Sequence, residues 1–183
     1  KLKTYCRSMV NLMGMLEHGQ LDVALSYKPL QSYDDIDSHI LFNSNLCVIA
    51  GKDNPVAKKE RIRLAELENL PLVLPAKGLQ ARNAFDSLLY GQNFKFDVRL
   101  EINDLSMLLD MVSRTNLVTL LSGATIHSNK NFVAISLDHP HSEMQGSFHL
   151  LKGTYCKNAT KEFLKMLVEN NSFLMAMEAI ANR

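Results

Sequence analysis

Along the chain, apolar residues alternate between helical and strand spacing. Val10, Met13 and Leu16 recur at helical spacing, and Gly19 follows as a stop because glycine accepts a left-handed backbone without steric cost. LDVALSY, residues 21–27, then reads as a strand, and LKTYC, residues 2–6, as a shorter one before the helix. Together they predict a β-α-β unit, with Asp22 at the strand entry expected to accept neighbouring backbone N–H groups.

The alternation continues. HILFNSNLCVIAG, residues 39–51, is a long apolar stretch with Asn43, Ser44 and Asn45 at its centre, as in a strand crossing between two lobes. NLPLVLPA, residues 69–76, reads as a buried strand. Residues 79–91 put Ala81, Ala84, Phe85, Leu88 and Leu89 on one helical face and stop at Gly91. Phe96, Val98, Leu100 and Ile102 alternate at period two. Asp104 is placed to cap a helix striped with Leu105, Leu108, Leu109 and Val112. Strands follow at NLVTLLSGA, FVAISL and MQGSFHLLK (residues 144–152). Asn158 is expected to cap a helix with Phe163, Leu164, Leu167 and Val168 inward, and SFLMAMEAIANR, residues 172–183, reads as a last helix or tail. This order predicts an α/β fold with largely parallel sheets, with no internal repeat and no glycine/serine linker.

Composition narrows the partners. The 183 residues are 46% hydrophobic, enough for a core in one or two domains, and 20 basic against 19 acidic side chains leave a formal net charge of +1. No overall field draws in nucleic acid or an anionic membrane. The densest basic run, KDNPVAKKERIR at residues 52–63, reads as a solvated loop and short helix. Three scattered cysteines, Cys6, Cys47 and Cys156, argue for a reducing compartment over a disulfide scaffold, and no CxxC pair supports zinc. His139 and His141 read as an exposed loop. No apolar run approaches the roughly 18 residues a membrane helix needs, and no signal peptide is apparent. The chain does not open with Met, so a cut piece of a longer protein is expected.

Catalytic and cofactor motifs are missing. None of the eight glycines forms GxGxxG or GxxxxGK, and GxSxG does not occur, so no cofactor, metal or catalytic residue is assigned. Ser122 has no base that the sequence places beside it, Cys47 reads as an inert buried thiol, and Asp34, Asp35 and Asp37 read as solvated. What stands out is polar loops at strand ends, where α/β sheets bind small ligands against the free N–H groups of the next helix. The junctions are CRSMVN, PAKGLQAR and INDLS, with Ser8, Lys77, Gln80 and Asn103 as candidate contacts.

In order and spacing, LEHGQLDVALSY, ILFNSNLCVIAGKDNPVAKKERIRLAELENLPLVLP, LEINDLSMLLDMVSRTNLVTLLSGATI and FVAISL resemble the effector-binding domain of LysR-type transcriptional regulators, from about Leu2 to Leu167. VSRTNLVTLLSGA is most similar to the cyanate-responsive branch. Thr115 and Asn116 replace the family's GxG, and Ser122 its following proline. The DNA-binding winged helix-turn-helix, and the domain's first strand and helix, have no counterpart here.

The resemblance implies two Rossmann-like lobes of the periplasmic-binding-protein type, joined by crossover strands near residues 43–46 and 144–148. Lobe I is residues 1–44 with 146–183, and lobe II is residues 45–145. A small, anionic effector is expected between them, held by Ser8, Met9, Lys77, Gly78, Leu79, Gln80 and Asn103. The implied protein is a cytoplasmic, homodimeric or tetrameric bacterial regulator that meets DNA only through the missing reader and has no membrane partner. A periplasmic-type solute-binding protein of the same fold and a small α/β enzyme are the alternatives.

Overall fold

The computed structural model describes residues 2–29, 32–127 and 129–169; the helix or tail expected over 172–183 lies outside them. The chain forms two compact units. One holds the described residues up to Asn43 with those from Gln145 onward, and the other is Ser44–Met144.

In the first unit, α1 (Met9–Glu17) packs Met9, Met13 and Leu16 against Ala24 and Ile36. The buried stripe starts at Met9, one residue earlier than the expected Val10, which is exposed. Gly19 closes the helix at φ +66°, its N–H donating to the Leu16 carbonyl at 2.9 Å. β1 (Ala24–Tyr27) pairs antiparallel with β8 (Glu143–Leu151), Ala24 opposite His149 and Tyr27 opposite Gly146. β2 (Ile36–Gly51) lies on β8's other side. Residues 2–6 are not a strand. Leu2 is 72% exposed, and no described strand pairs with the segment, so it has no ladder to join. Asp22 faces the Lys157 ammonium at 2.8 Å, not the backbone donors expected for it. In α4 (Asn158–Glu169) the inward stripe runs from Thr160 to Leu167, and Val168, one residue further round, is exposed.

Fully buried His149 has Nε2 2.8 Å from Ser26 Oγ and Nδ1 2.7 Å from Ser38 Oγ. Ser26 donates its own proton to the Tyr27 carbonyl at 2.9 Å, so Nε2 carries the ring proton and Nδ1 accepts from Ser38. Further along β8, the ring of Phe42 occupies the space a Cβ at Gly146 would need, and it meets Tyr27 edge-on with centroids 6.1 Å apart.

In the second unit, the latter part of β2 is wholly buried from Leu46 to Gly51 and lies between β6 (Thr119–Ser122) and β7 (Phe132–Leu137), antiparallel to both. β3 (Arg61–Ile62) runs parallel to β7, and β4 (Pro71–Pro75) parallel to β5 (Asp97–Ile102). β4 reaches β6 through a parallel bridge between Leu72 and Val118. β8 is antiparallel to β1, and β2 to β6 and β7, which the largely parallel expectation missed. These strands carry the chain between units and enter each sheet outside its β-α succession. α2 (Gln80–Leu88) and α3 (Leu105–Arg114) cover the β4–β6 strands, with Val73, Leu108, Val112, Leu117 and Leu121 meeting Cys47 and Ile49 in the core. Asp104 caps α3, its Oδ1 accepting from the Met107 N–H at 2.7 Å.

Candidate ligand-binding edge

Because β4 is parallel to both β5 and β6, the carboxyl ends of all three point the same way. Pro75, Ile102 and Ser122 therefore end on one edge of the second unit, where the loops to α2 and α3 leave the sheet. The Ala76 N–H donates to the Ile102 carbonyl at 2.9 Å, which ties the two loops together. Residues 77–80 and Asn103 are thus brought to one place, while Ser8 and Met9 belong to the first unit at the start of α1.

At this edge Lys77 is exposed, and Gly78 turns the chain at φ +89°, a left-handed conformation that side chains resist. Leu79 is the N-cap of α2 and has no side-chain group to bond the helix's first N–H groups. Gln80 Nε2 is buried without a hydrogen-bond partner. A buried donor left unmade costs about 1–3 kcal/mol, so this amide favours any acceptor brought to it. Asn103 is exposed beside the capped start of α3. In the first unit, Ser8 is the N-cap of α1 but makes no side-chain cap bond, and Met9 is buried.

The sequence reading misses the Ser44–Ser122 hydroxyl pair and Arg82, while it reads Cys47 correctly as a buried thiol. Ser44 Oγ and Ser122 Oγ lie 2.7 Å apart, each 3.3 Å from the Ala124 N–H. Buried Arg82 binds Asp86 Oδ1 and Glu101 Oε1, both at 2.8 Å, and the Pro75 carbonyl at 3.3 Å. Its helical positions, with Phe85 and Leu88, signal an inward residue, but its charge reads as a solvated one. Cys47 donates to the Asn45 carbonyl at 3.4 Å, and burial pushes its thiol up.

Other candidates are accounted for by local pairing. Lys59 and Arg63 both meet Glu66, whose carboxyl the Lys59 hydrogen bond above all holds down at about 2, and Arg61 faces Asp138 at 3.8 Å. His139 accepts from the His141 N–H at 3.2 Å. Among the described residues, no group of three or more His, Cys, Asp or Glu is arranged to hold a metal ion. No described helix is long and apolar enough to cross a membrane. The edge is therefore a set of donors, namely an ammonium, an amide and uncapped backbone N–H groups, suited to holding negatively charged oxygen.

The family model described as the LysR substrate binding domain matches residues 2–172. The chain belongs to that family. It is the ligand-sensing domain of a LysR-type transcriptional regulator, and this match favours the regulator over the solute-binding alternative. Solved structures carry the same fold. The regulatory domain of Synechocystis CcmR, in complex with 2-PG, superposes at a TM-score of 0.75 with 20% identity, covering 87% of this chain and 77% of that one. The effector-binding domain of QuiR, in complex with shikimate, gives 0.73 at 18% identity and covers 89% and 78%. A C206 mutant of Corynebacterium glutamicum OxyR gives 0.72 at 17% identity and covers 96% of this LysR domain but 56% of that chain. At these identities the fold is what is shared. In this fold the domain has its first unit's α1 opening at Ser8 and its second unit's donor edge at residues 77–80.

Proposed function

We propose that this domain senses a small anion for a cytoplasmic bacterial regulator that works as a homo-oligomer, binding the anion without transforming it. Its two lobes are residues 1–44 with 146–183, lobe I, and residues 45–145, lobe II. Lys77, Gly78, Leu79 and Gln80 hold the anion's charge, Asn103 flanks it, and Ser8 and Met9 meet it from the other lobe. The observation that carries this reading is the unpartnered buried amide of Gln80 beside Lys77 and the uncapped start of α2. Binding biases the relation of the lobes, and through it the DNA-reading parts, by as much as the ligand's affinity differs between the two arrangements. The CcmR regulatory domain is in complex with 2-PG and the QuiR domain with shikimate, so both molecules belong in the ligand panel.

A thermal-shift screen of small carboxylates and inorganic anions, cyanate included, is expected to find a stabiliser. Lys77→Ala and Gln80→Ala each remove a charge-assisted or buried hydrogen bond and should weaken it about tenfold. Unaltered affinity in both variants places the site elsewhere.

A further inference from the structure

Arg82 follows Gln80 by two residues, yet its side chain is buried, at 8% exposure, and faces two carboxylates and a backbone carbonyl. One carboxylate, Glu101, sits in β5 opposite Leu74 of β4, with its side chain 42% exposed. The hydrogen bond from Arg82 holds the Glu101 carboxyl below its ordinary range, and the charge of Lys77 adds to that effect. The Ala76 N–H donates to the Ile102 carbonyl at 2.9 Å, so Lys77 and Glu101 each stand one residue from that bond, and among the described residues Lys77 forms no ion pair or hydrogen bond.

We propose that Arg82 is a positioning residue for the anion site: by holding the Glu101 carboxylate, it keeps that carboxylate off Lys77 and leaves the ammonium for the ligand. This rests on the anion-binding reading above. A carboxylate on the same unit is always present beside the lysine, so it competes with a dissolved anion at high effective concentration. The guanidinium wins it because its planar donors are pre-organised and desolvated, whereas Lys77 is a hydrated charge on a flexible stem. The bond to the Pro75 carbonyl also ties α2's first turn to the end of β4, next to the Gly78 turn.

The test is calorimetric titration with sulfate at low ionic strength. Arg82→Gln frees Glu101 and is expected to weaken sulfate about tenfold. Glu101→Gln should bind at least as tightly as the unaltered chain, and Arg82→Gln with Glu101→Gln should recover its affinity to within about twofold, because the Glu101 carboxylate no longer competes. A brace without electrostatic effect predicts a double variant as weak as Arg82→Gln, and that result overturns the proposal, as does unchanged affinity in Arg82→Gln. If Arg82→Gln does not fold, Arg82→Lys, which loses the planar fork, is read in its place. Sulfate binding that is absent in the unaltered chain, or indifferent to Lys77→Ala, defeats the anion reading first and this inference with it.

Discussion

His149 shows how a buried polar side chain settles its own chemistry. Both ring nitrogens are used, one donating to Ser26 and one accepting from Ser38, so the neutral ring is satisfied and a second proton finds no ready acceptor. Burial, with the nearby His39 charge as a smaller cause, lowers its pKa to about 4. The unfolded chain takes up its proton near pH 6.5 while the folded one stays neutral, so stability is complete above about pH 6.5 and drains as pH falls through 4. The loss should reach about 3 kcal/mol. Urea denaturation at pH 7 and pH 4.5 should show this decline, and His149→Gln should flatten it; a variant with the parent's slope removes His149 as the cause. Gly146 illustrates a different limit. Gly146→Ala must displace the Phe42 ring and should cost about 1–3 kcal/mol, while in a Phe42→Ala background the same change should cost little. Equal losses in both backgrounds would show that the ring does not set the cost.

At the scale of elements, what could be read in advance follows how much each element depends on its own residues. α2 and α3 announce themselves because their apolar stripes and stops are local: Phe85 and Leu88 in one, Asp104, Leu108 and Val112 in the other. Asp104→Ala should destabilise the domain by about 1 kcal/mol by freeing the Met107 N–H, measurable as a lower denaturation midpoint with unchanged m-value. Residues 2–6 carry a strand's composition, but a strand exists only through a partner, and the pattern of five residues holds no information about a neighbour. The Asn43–Asn45 interruption, legible as a change in polarity, turns out to be continuous strand where β2 leaves one unit for the other.

For the whole molecule, family and fold follow from the order of segments, but the site is only half legible. Loop position marks residues 77–80 and Asn103, since any helix entered from a strand end exposes N–H groups. It does not reveal Arg82, whose role depends on Glu101 nineteen residues away in a neighbouring strand, nor the hydroxyl pair of Ser44 and Ser122. The Phe42–Gly146 contact is equally non-local, joining positions more than a hundred residues apart that share one volume. Natural drift at these positions is therefore tied: a homologue that gains a side chain where this chain has Gly146 has to shrink or turn aside its counterpart of Phe42, so aligned relatives should exchange bulk between the two columns instead of accumulating it in both.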